Sequence, residues 1–424
     1  MPIANYHAFM HILYLSQYFP PEVGATQTRA YEMARGLVQA GHRVTMITEV
    51  PNHPSGIIPP AYRGRWVERT TLDGIEVLRV WVKASPVKNF QTRMAFYLSY
   101  MADAALVGAL RTRGPFDVVV ATSPPLFVGA AGLVLQTLKR APLVFEVRDL
   151  WPESAVALGE LNNARAVRLA TRLEELCYRR AARIVVVTEG IRQRLLARGY
   201  AAEKLALIPN GANTELFQPR PDLRSITRAE IGLPANAFVA MYAGIHGIAQ
   251  GLDSVLQAAA RLRDDPTLRI VLVGEGPIKA ELEARRAQLG LDNVLMLPEQ
   301  PRQAMPGLLA AANVALVPLR KLALFEGALP SKMFDAWACG LPLLLSIDGE
   351  ARRVLEAADG GLYVPPEDPD ALAAGIRTLA ALPDRGSGLG QNGRLYTEHH
   401  HSRQAQARQL EQLLREVTAT AHTT

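Results

Sequence analysis

Three side chains with complementary chemistry fall together in Leu329-Pro330-Ser331-Lys332-Met333-Phe334-Asp335. Ser331 is a residue type that caps a helix and Gly340 one that stops it, so the spacing predicts a short helix between them. A helix N-terminus attracts anions through its free N–H groups and its dipole, and Lys332 adds a full positive charge there. Asp335, one turn further on, is placed to accept hydrogen bonds from sugar hydroxyls. A phosphate holder beside a hydroxyl reader is the chemistry of a pocket for a sugar nucleotide. An ordinary capped core helix is the plainer alternative.

Other loops carry related chemistry. Pro20-Pro21-Glu22-Val23-Gly24-Ala25-Thr26 leads into a predicted helix, and Gly24 lets backbone approach a diphosphate. Tyr242-Ala243-Gly244-Ile245-His246-Gly247-Ile248-Ala249-Gln250-Gly251 follows a strand with three glycines, a loop type that cradles phosphate on its N–H groups. His246 there is either a donor to that phosphate or a solvated loop histidine. Gly274-Glu275-Gly276-Pro277 has two glycines at the dinucleotide-binding gap, but Lys279 stands where the third is required, which speaks against a nicotinamide site. Arg148, Asp149 and Glu153 follow a buried strand and are site candidates, or else form a surface charge cluster. His399, His400 and His401 are adjacent rather than spaced for one helix face, so no metal site is expected.

The chain has 424 residues, more than one core normally supports, and 49% of them are hydrophobic. Its formal charge of +6 is uneven: residues 1–204 hold 25 Lys and Arg against 16 Asp and Glu, and the remainder holds 21 against 24. The basic half implies an anionic partner such as lipid headgroups or a pyrophosphate-linked substrate. Nucleic acid is disfavoured, because no basic run interleaved with aromatics occurs. Cys177 and Cys339 read as small core residues in a reducing compartment. Residues 1–9 read as a leader without a signal-peptide pattern. The most apolar run, 126–138, is too short to span a membrane and reads as a buried helix.

The elements that must position these residues alternate strand and helix. Strands are predicted at 11–16, 43–48, 76–82, 117–122, 143–147, 183–188 and 205–208, and again at 238–243, 269–273, 294–297, 314–317 and 343–346. Such alternation means parallel sheets with helices on both faces, here two doubly wound domains in series. Pro209-Asn210-Gly211 is the turn between them. The division is residues 1–209, residues 210–390, and a helical tail at 391–424 able to return to the first domain. Residues 88–113 read as a long helix with aromatic and Met residues crowded into its first half, flanked by Lys83, Lys88, Arg93, Arg111 and Arg113. It suits either a membrane interface or a core-facing helix.

Ser16-Gln17-Tyr18-Phe19-Pro20-Pro21-Glu22-Val23-Gly24, Asn52-His53-Pro54-Ser55-Gly56, Glu146-Val147-Arg148-Asp149-Leu150-Trp151-Pro152-Glu153 and Leu329-Pro330-Ser331-Lys332 are specific in combination. With them the chain resembles the retaining glycosyltransferases of family 4, and among these the bacterial surface-polysaccharide enzymes of the fucosaminyl-transferase type. The resemblance implies the GT-B fold, in which two Rossmann-like domains face a cleft and a C-terminal helix crosses back. It implies a hexosyl or N-acetylhexosaminyl transferase using a UDP-sugar, with UDP-N-acetyl-L-fucosamine suggested as donor and neither metal nor resident cofactor. The implied acceptor is a lipid-linked saccharide of O-antigen or capsule assembly, met at the cytoplasmic face of the cell membrane.

By similarity Lys332 binds phosphate and acts in catalysis with Arg148 and Asp149. Gly24, Gly244, His246, Gly247, Gln250, Glu299, Gln300, Glu326, Ser331 and Asp335 would contact the donor, and His53, Trp151 and Glu153 the acceptor. The chain departs from the family pattern at three places. Gly327 stands where the first Glu of the E-x7-E motif belongs, with Glu326 one place off. His246 and Gln250 replace a common Arg/Lys pair, and Arg148 replaces a common His. A nucleotide-sugar 2-epimerase and a non-catalytic sugar-nucleotide binder are the other readings.

Overall fold

The computed structural model describes residues 9–421 except Val23, Pro54, Lys88, Leu158 and Glu160. Residues 1–8 of the expected leader, and Lys88 at the expected helix start, thus lie outside the described residues. The molecule divides into two units, Met1–Pro209 with Gln404–Thr424, and Asn210–Arg403.

The first unit runs β1 (His11–Leu15), α1 (Ala25–Gln39), β2 (Arg43–Glu49), β3 (Val67–Leu72), β4 (Ile75–Val80), α2 (Phe90–Leu110), β5 (Val118–Ser123), α3 (Phe127–Lys139), β6 (Leu143–Val147), α4 (Glu153–Ala157), α5 (Ala164–Arg180), β7 (Arg183–Val186), α6 (Glu189–Ala197) and β8 (Leu205–Leu207). Its sheet has the order β3-β4-β2-β1-β5-β6-β7-β8. The pairings are parallel apart from β3 against β4. Strands such as Val118-Val119-Val120 are buried along their whole length because helices cover both faces. One face packs Leu13, Leu15 and Ile47 against α2, α3, α5 and α6, and the other packs Ile12, Tyr14 and Met46 against α1.

The antiparallel edge strand β3 was not foreseen. Its residues are largely exposed, so apolar periodicity does not mark it. The signal was in the turn: Asp73 and Gly74 both have positive φ, 48° and 80°, and a two-residue Asp-Gly connection is a hairpin marker.

The second unit runs α7 (Arg224–Glu230), β9 (Phe238–Ala243), α8 (Leu252–Arg261), β10 (Leu268–Val273), α9 (Lys279–Gln288), β11 (Val294–Leu297), α10 (Met305–Ala310), β12 (Val314–Pro318), α11 (Ser331–Ala338), β13 (Leu343–Ser346), α12 (Glu350–Ala358), β14 (Gly361–Tyr363), α13 (Pro369–Ala381) and α14 (Ser387–His400). Its parallel sheet has the order β11-β10-β9-β12-β13-β14. The strand β14, three residues opening on Gly361, was too short to read from sequence. A boundary at 391 cuts through α14, which belongs to this unit. Trp337, fully buried on α11, donates to the Gly360 carbonyl at 2.8 Å, and a Cβ at Gly393 of α14 would collide with its indole.

The last helix, α15 (Arg403–Ala421), adds Ala407, Leu410, Leu413, Leu414 and Val417 to the α1 face of the first unit. Ala407 lies against Gly36 of α1, and Glu411 pairs with His42 at 3.1 Å.

Candidate functional site

In the second unit, the loops after β9, β10 and β11 are joined by backbone hydrogen bonds. The Gly244 N–H donates to Val273 O at 2.9 Å, Gly274 N–H to Leu297 O at 3.1 Å, and His246 N–H to Glu275 O at 2.8 Å. This approach explains Gly274-x-Gly276 without a dinucleotide. A Cβ on Gly274 would strike the Gly244 carbonyl, and one on Gly276 the His246 carbonyl. His246 is therefore fully buried, not a solvated loop residue. Burial, then the Lys279 charge, pulls its imidazole down to about 4, so it is neutral at physiological pH.

Lys332 reaches this loop from α11. Its ammonium lies 3.9 Å from the centroid of the Tyr242 ring, and a Cβ on Gly244 would come within 2.8 Å of Nζ. Gly244 has φ of 150°, which an L side chain rarely adopts, so both its backbone and its neighbour require glycine. Lys332 keeps some surface accessible, yet burial of its ammonium pulls it down to about 7. The Tyr242 hydroxyl donates to Ile245 O at 2.7 Å and fixes the ring under the ammonium. Ser331 is the first residue of α11 rather than its cap. Pro330 takes the cap position and no side chain caps the helix, so a side chain does not compete for its first N–H groups.

Of the other donor-side candidates, Gln250, Glu299 and Gln300 lie in the loops after β9 and β11, Glu326 precedes α11 and Asp335 lies on it. Asp335 lies 3.7 Å from Arg302 Nη1, and Arg302 stands 4.8 Å over the Phe217 ring. Glu326 is exposed on the short turn Ala323–Gly327. Glu299 is exposed as a residue, and partial desolvation of its carboxyl, then the Glu275 charge, raises that group. Gln300 donates to Pro298 O at 3.3 Å. Gln250 folds back over Gly247, where a Cβ would stand 2.6 Å from its Oε1. Among the described residues no three His, Cys, Asp or Glu side chains converge as a metal site would need.

In the first unit, Gly24 occupies the cap position of α1 with the Gln27 side chain folded against it. The Arg148–Asp149–Glu153 surface cluster does not form. Arg148 turns inward, donating to Pro124 O at 3.0 Å and lying 3.9 Å from Glu146. Asp149 is held by Ser154 and the Leu150 N–H, and burial raises its carboxyl. Glu153 pairs with Arg194. Trp151 packs edge-on against Phe127 at 5.9 Å.

The polar centre of this unit is Glu146, which sequence reasoning left out of the candidate set. Arg29 Nε donates to it at 2.9 Å and Thr122 Oγ1 at 2.6 Å. Burial opposes its charge, but Arg29 and Arg148 outweigh that and hold the carboxyl below its ordinary value. A carboxylate inside Leu-Val-Phe-Glu-Val was the available signal. Arg29 also donates to the Ile208 and Pro209 carbonyls at 2.8 Å each. His53 is exposed, and its N–H donates to buried Glu22 at 2.7 Å.

Residues 24–211 match the glycosyl transferase 4-like domain, and residues 224–396 match glycosyl transferases group 1. The putative colanic acid biosynthesis glycosyl transferase WcaI of Escherichia coli is 27% identical over 381 residues, 88% of this chain and 93% of that protein. A D-inositol 3-phosphate glycosyltransferase of Saccharomonospora viridis is 30% identical over 337 residues, 75% of this chain and 76% of that protein. Among solved structures, sucrose-phosphate synthase from Thermosynechococcus elongatus has a TM-score of 0.74 at 23% identity, covering 97% of this chain and 100% of that one. HepE of Anabaena, in complex with UDP and glucose, has a TM-score of 0.73 at 19% identity, with 96% and 99% covered. At such identities a structural likeness speaks for the fold alone. The paired domain matches, the relatives and the two doubly wound sheets lead to one conclusion: the chain belongs to the GT-B glycosyltransferases, with a family 4-like first half and a group 1 second half.

Proposed function

We propose that this glycosyltransferase moves a sugar, with retention, from a UDP-sugar to a lipid-linked saccharide during assembly of a bacterial surface polysaccharide such as O-antigen or capsule. The observation that carries the reading is Lys332, whose ammonium is desolvated against Gly244 and Tyr242 at the start of α11. In this mechanism the bond between the sugar C1 and the diphosphate oxygen breaks first. The leaving diphosphate gains negative charge, which Lys332 and the first N–H groups of α11 stabilise. The acceptor hydroxyl then bonds C1 on the same face, and its proton passes to the departing phosphate oxygen. Neutral His246 offers one donor and one acceptor beside the diphosphate. Charge stabilisation of this kind assigns no resident cofactor.

UDP is favoured because HepE, of like fold, was solved with UDP and with UDP-glucose. A polysaccharide product is favoured by the relative named for colanic acid biosynthesis. Peripheral attachment to the inner membrane face is supported by the helical layer formed by α2, α3 and α5. It exposes Leu98, Leu106, Leu110, Val134, Leu138 and Leu169 next to Arg111, Arg113, Arg168 and Arg172. No helix among the described residues is long and apolar enough to cross a membrane.

The test is transfer from a panel of UDP-sugars, UDP-N-acetyl-L-fucosamine first, to polyprenyl-diphosphate-linked saccharides. The anomeric configuration of the product is read by NMR. Lys332→Ala is expected to lower turnover about 10²–10³-fold while leaving folding intact. Full turnover in that variant, or epimer formation without acceptor, overturns the reading.

A further inference from the structure

The chain crosses between its units twice, at Pro209–Asn210 and at Arg403–Gln404. Within the second unit the two crossing segments are bonded to each other. Ala212 N–H donates to His401 O and Arg403 N–H to Ala212 O, at 2.9 Å each. His401 is buried, and burial pulls its imidazole down to about 4, so it is neutral. Its Nδ1 lies 2.8 Å from Asn210 O, and a carbonyl can only accept, so Nδ1 carries the proton. On the first unit's side of the same crossing, Arg29 pins the Ile208 and Pro209 carbonyls.

Both crossings reach α11. Asn210 Nδ2 donates to the carbonyl of buried Leu329 at 3.2 Å, two residues before the helix begins. Pro330 lies between, its φ locked by its ring at −65°, which leaves little slack between that carbonyl and Ser331. His401 stacks on Phe334 of α11, with ring centroids 4.0 Å apart and planes at 15°. The far end of α11 has other supports: Arg394 Nη1 donates to Ala338 O at 2.9 Å, and the Trp337 indole to Gly360 O. The near end, which carries Lys332 against Tyr242 and Gly244, is the end held from the crossings. A buried carbonyl needs a donor, and Asn210 alone would satisfy that need. Two crossings converging on the start of one helix also fix its position.

From this convergence we infer that Asn210 and His401 are positioning residues for the transfer reaction. They hold the first turn of α11, and with it the Lys332 ammonium, where a donor diphosphate is met beside Gly244 and Tyr242. The inference rests on the diphosphate role proposed above for Lys332, and it adds two residues that act through that lysine.

A double-mutant cycle on the full chain separates positioning from general support of the fold. UDP and uridine are the probes, at about pH 6, where Lys332 is charged. Lys332→Met should weaken UDP binding at least about tenfold and leave uridine, which has no phosphate, unchanged. Asn210→Ala and His401→Phe should each weaken UDP about three- to tenfold, the share of one hydrogen bond, again without touching uridine. Asn210→Asp, which keeps the size of the side chain and loses its donor, should match Asn210→Ala. In the Lys332→Met background none of the three should weaken UDP further. Equal loss of UDP and uridine, or the same loss of UDP with and without Lys332, makes both residues ordinary scaffold and overturns the inference. So does full UDP affinity in Asn210→Ala and His401→Phe where Lys332→Met weakens it. A chain that binds no UDP, or binds it as well in Lys332→Met, removes the diphosphate reading itself and the inference with it.

Discussion

Lys332 meets two opposing demands. In the proposed diphosphate-holding role it has to be charged, yet its burial against Tyr242 and Gly244 pulls it down to about 7. Near neutral pH about half of the free molecules therefore carry an uncharged lysine. An arriving diphosphate supplies the missing counter-charge and raises the bound-state value, so binding takes up a proton. The sign is fixed by the direction of the shift. Below about pH 7 the free lysine is already protonated and donor affinity is flat. Above it, affinity falls by up to about tenfold per pH unit until the bound-state value is reached. Calorimetry of UDP-glucose binding, whose diphosphate carries no group titrating in this range, in buffers of different ionisation heat should give almost no proton uptake at about pH 6 and close to one proton at about pH 8.5. Lys332→Met should abolish the difference, and equal uptake at both values would count against the diphosphate role. This residue was legible in the sequence, because a cation at a helix start after a Pro-containing loop is a local pattern. Asp335 was half legible. Its place on the same helix could be read, but Arg302 beside it comes from 33 residues upstream, and no local pattern announces a partner at that range.

At the scale of elements, α2 forms over Phe90–Leu110, within the span expected for it. Asn89 caps it, with Oδ1 accepting from the Thr92 N–H at 2.9 Å and Thr92 Oγ1 accepting from the Asn89 N–H at 3.2 Å. Composition left a membrane interface and a core-facing role both open for it, with the aromatic and Met residues crowded into its first half. The structure buries Tyr100, Ala104 and Val107 and leaves Leu98, Leu106 and Leu110 exposed, so the apolar stripe runs to its end. Leu106 and Leu110 are 46% and 67% exposed, and replacing both with Asp should leave the fold intact. The double variant Leu106→Asp/Leu110→Asp should bind anionic vesicles at least about tenfold more weakly in co-sedimentation, since each apolar side chain is worth about 1.5–3 kcal/mol when fully buried. Unchanged partition would detach α2 from any membrane role. Buried strands were legible as unbroken apolar runs, and β9 and β11 begin and end where those runs do. Elements whose stability comes from elsewhere were not: β3 depends on its hairpin turn, and β14 is a short parallel partner of β13. The spacing of Gly274 and Gly276 resembled half a cofactor motif because tight backbone approach selects glycine whatever the cause.

At the scale of the whole molecule, sequence order and structural membership part company at the end of the chain. The polypeptide leaves the first unit at Pro209, builds the second, and returns to the first from Gln404 onward. Arg29 secures the point of departure through the carbonyls of Ile208 and Pro209, and α15 secures the return. Leu410, Leu413, Leu414 and Val417 are buried in the core they share with α1 and β1, each worth about 1.5–3 kcal/mol. That sum rivals the whole stability of an ordinary domain, about 5–15 kcal/mol. Removing residues 404–424 should therefore cripple the first unit and spare the second, whose cores contain none of these side chains. Scanning calorimetry of the truncated chain should show one transition lowered by at least 10 °C, or lost, and another unmoved, because about 1 kcal/mol shifts Tm by roughly 2–4 °C in a domain of this size. A milder variant, Leu414→Ala, should lower the same transition alone by an amount matching about 2–5 kcal/mol. If both transitions fell together in either variant, the two units would unfold as one cooperative block, and stability could not be assigned to each core separately.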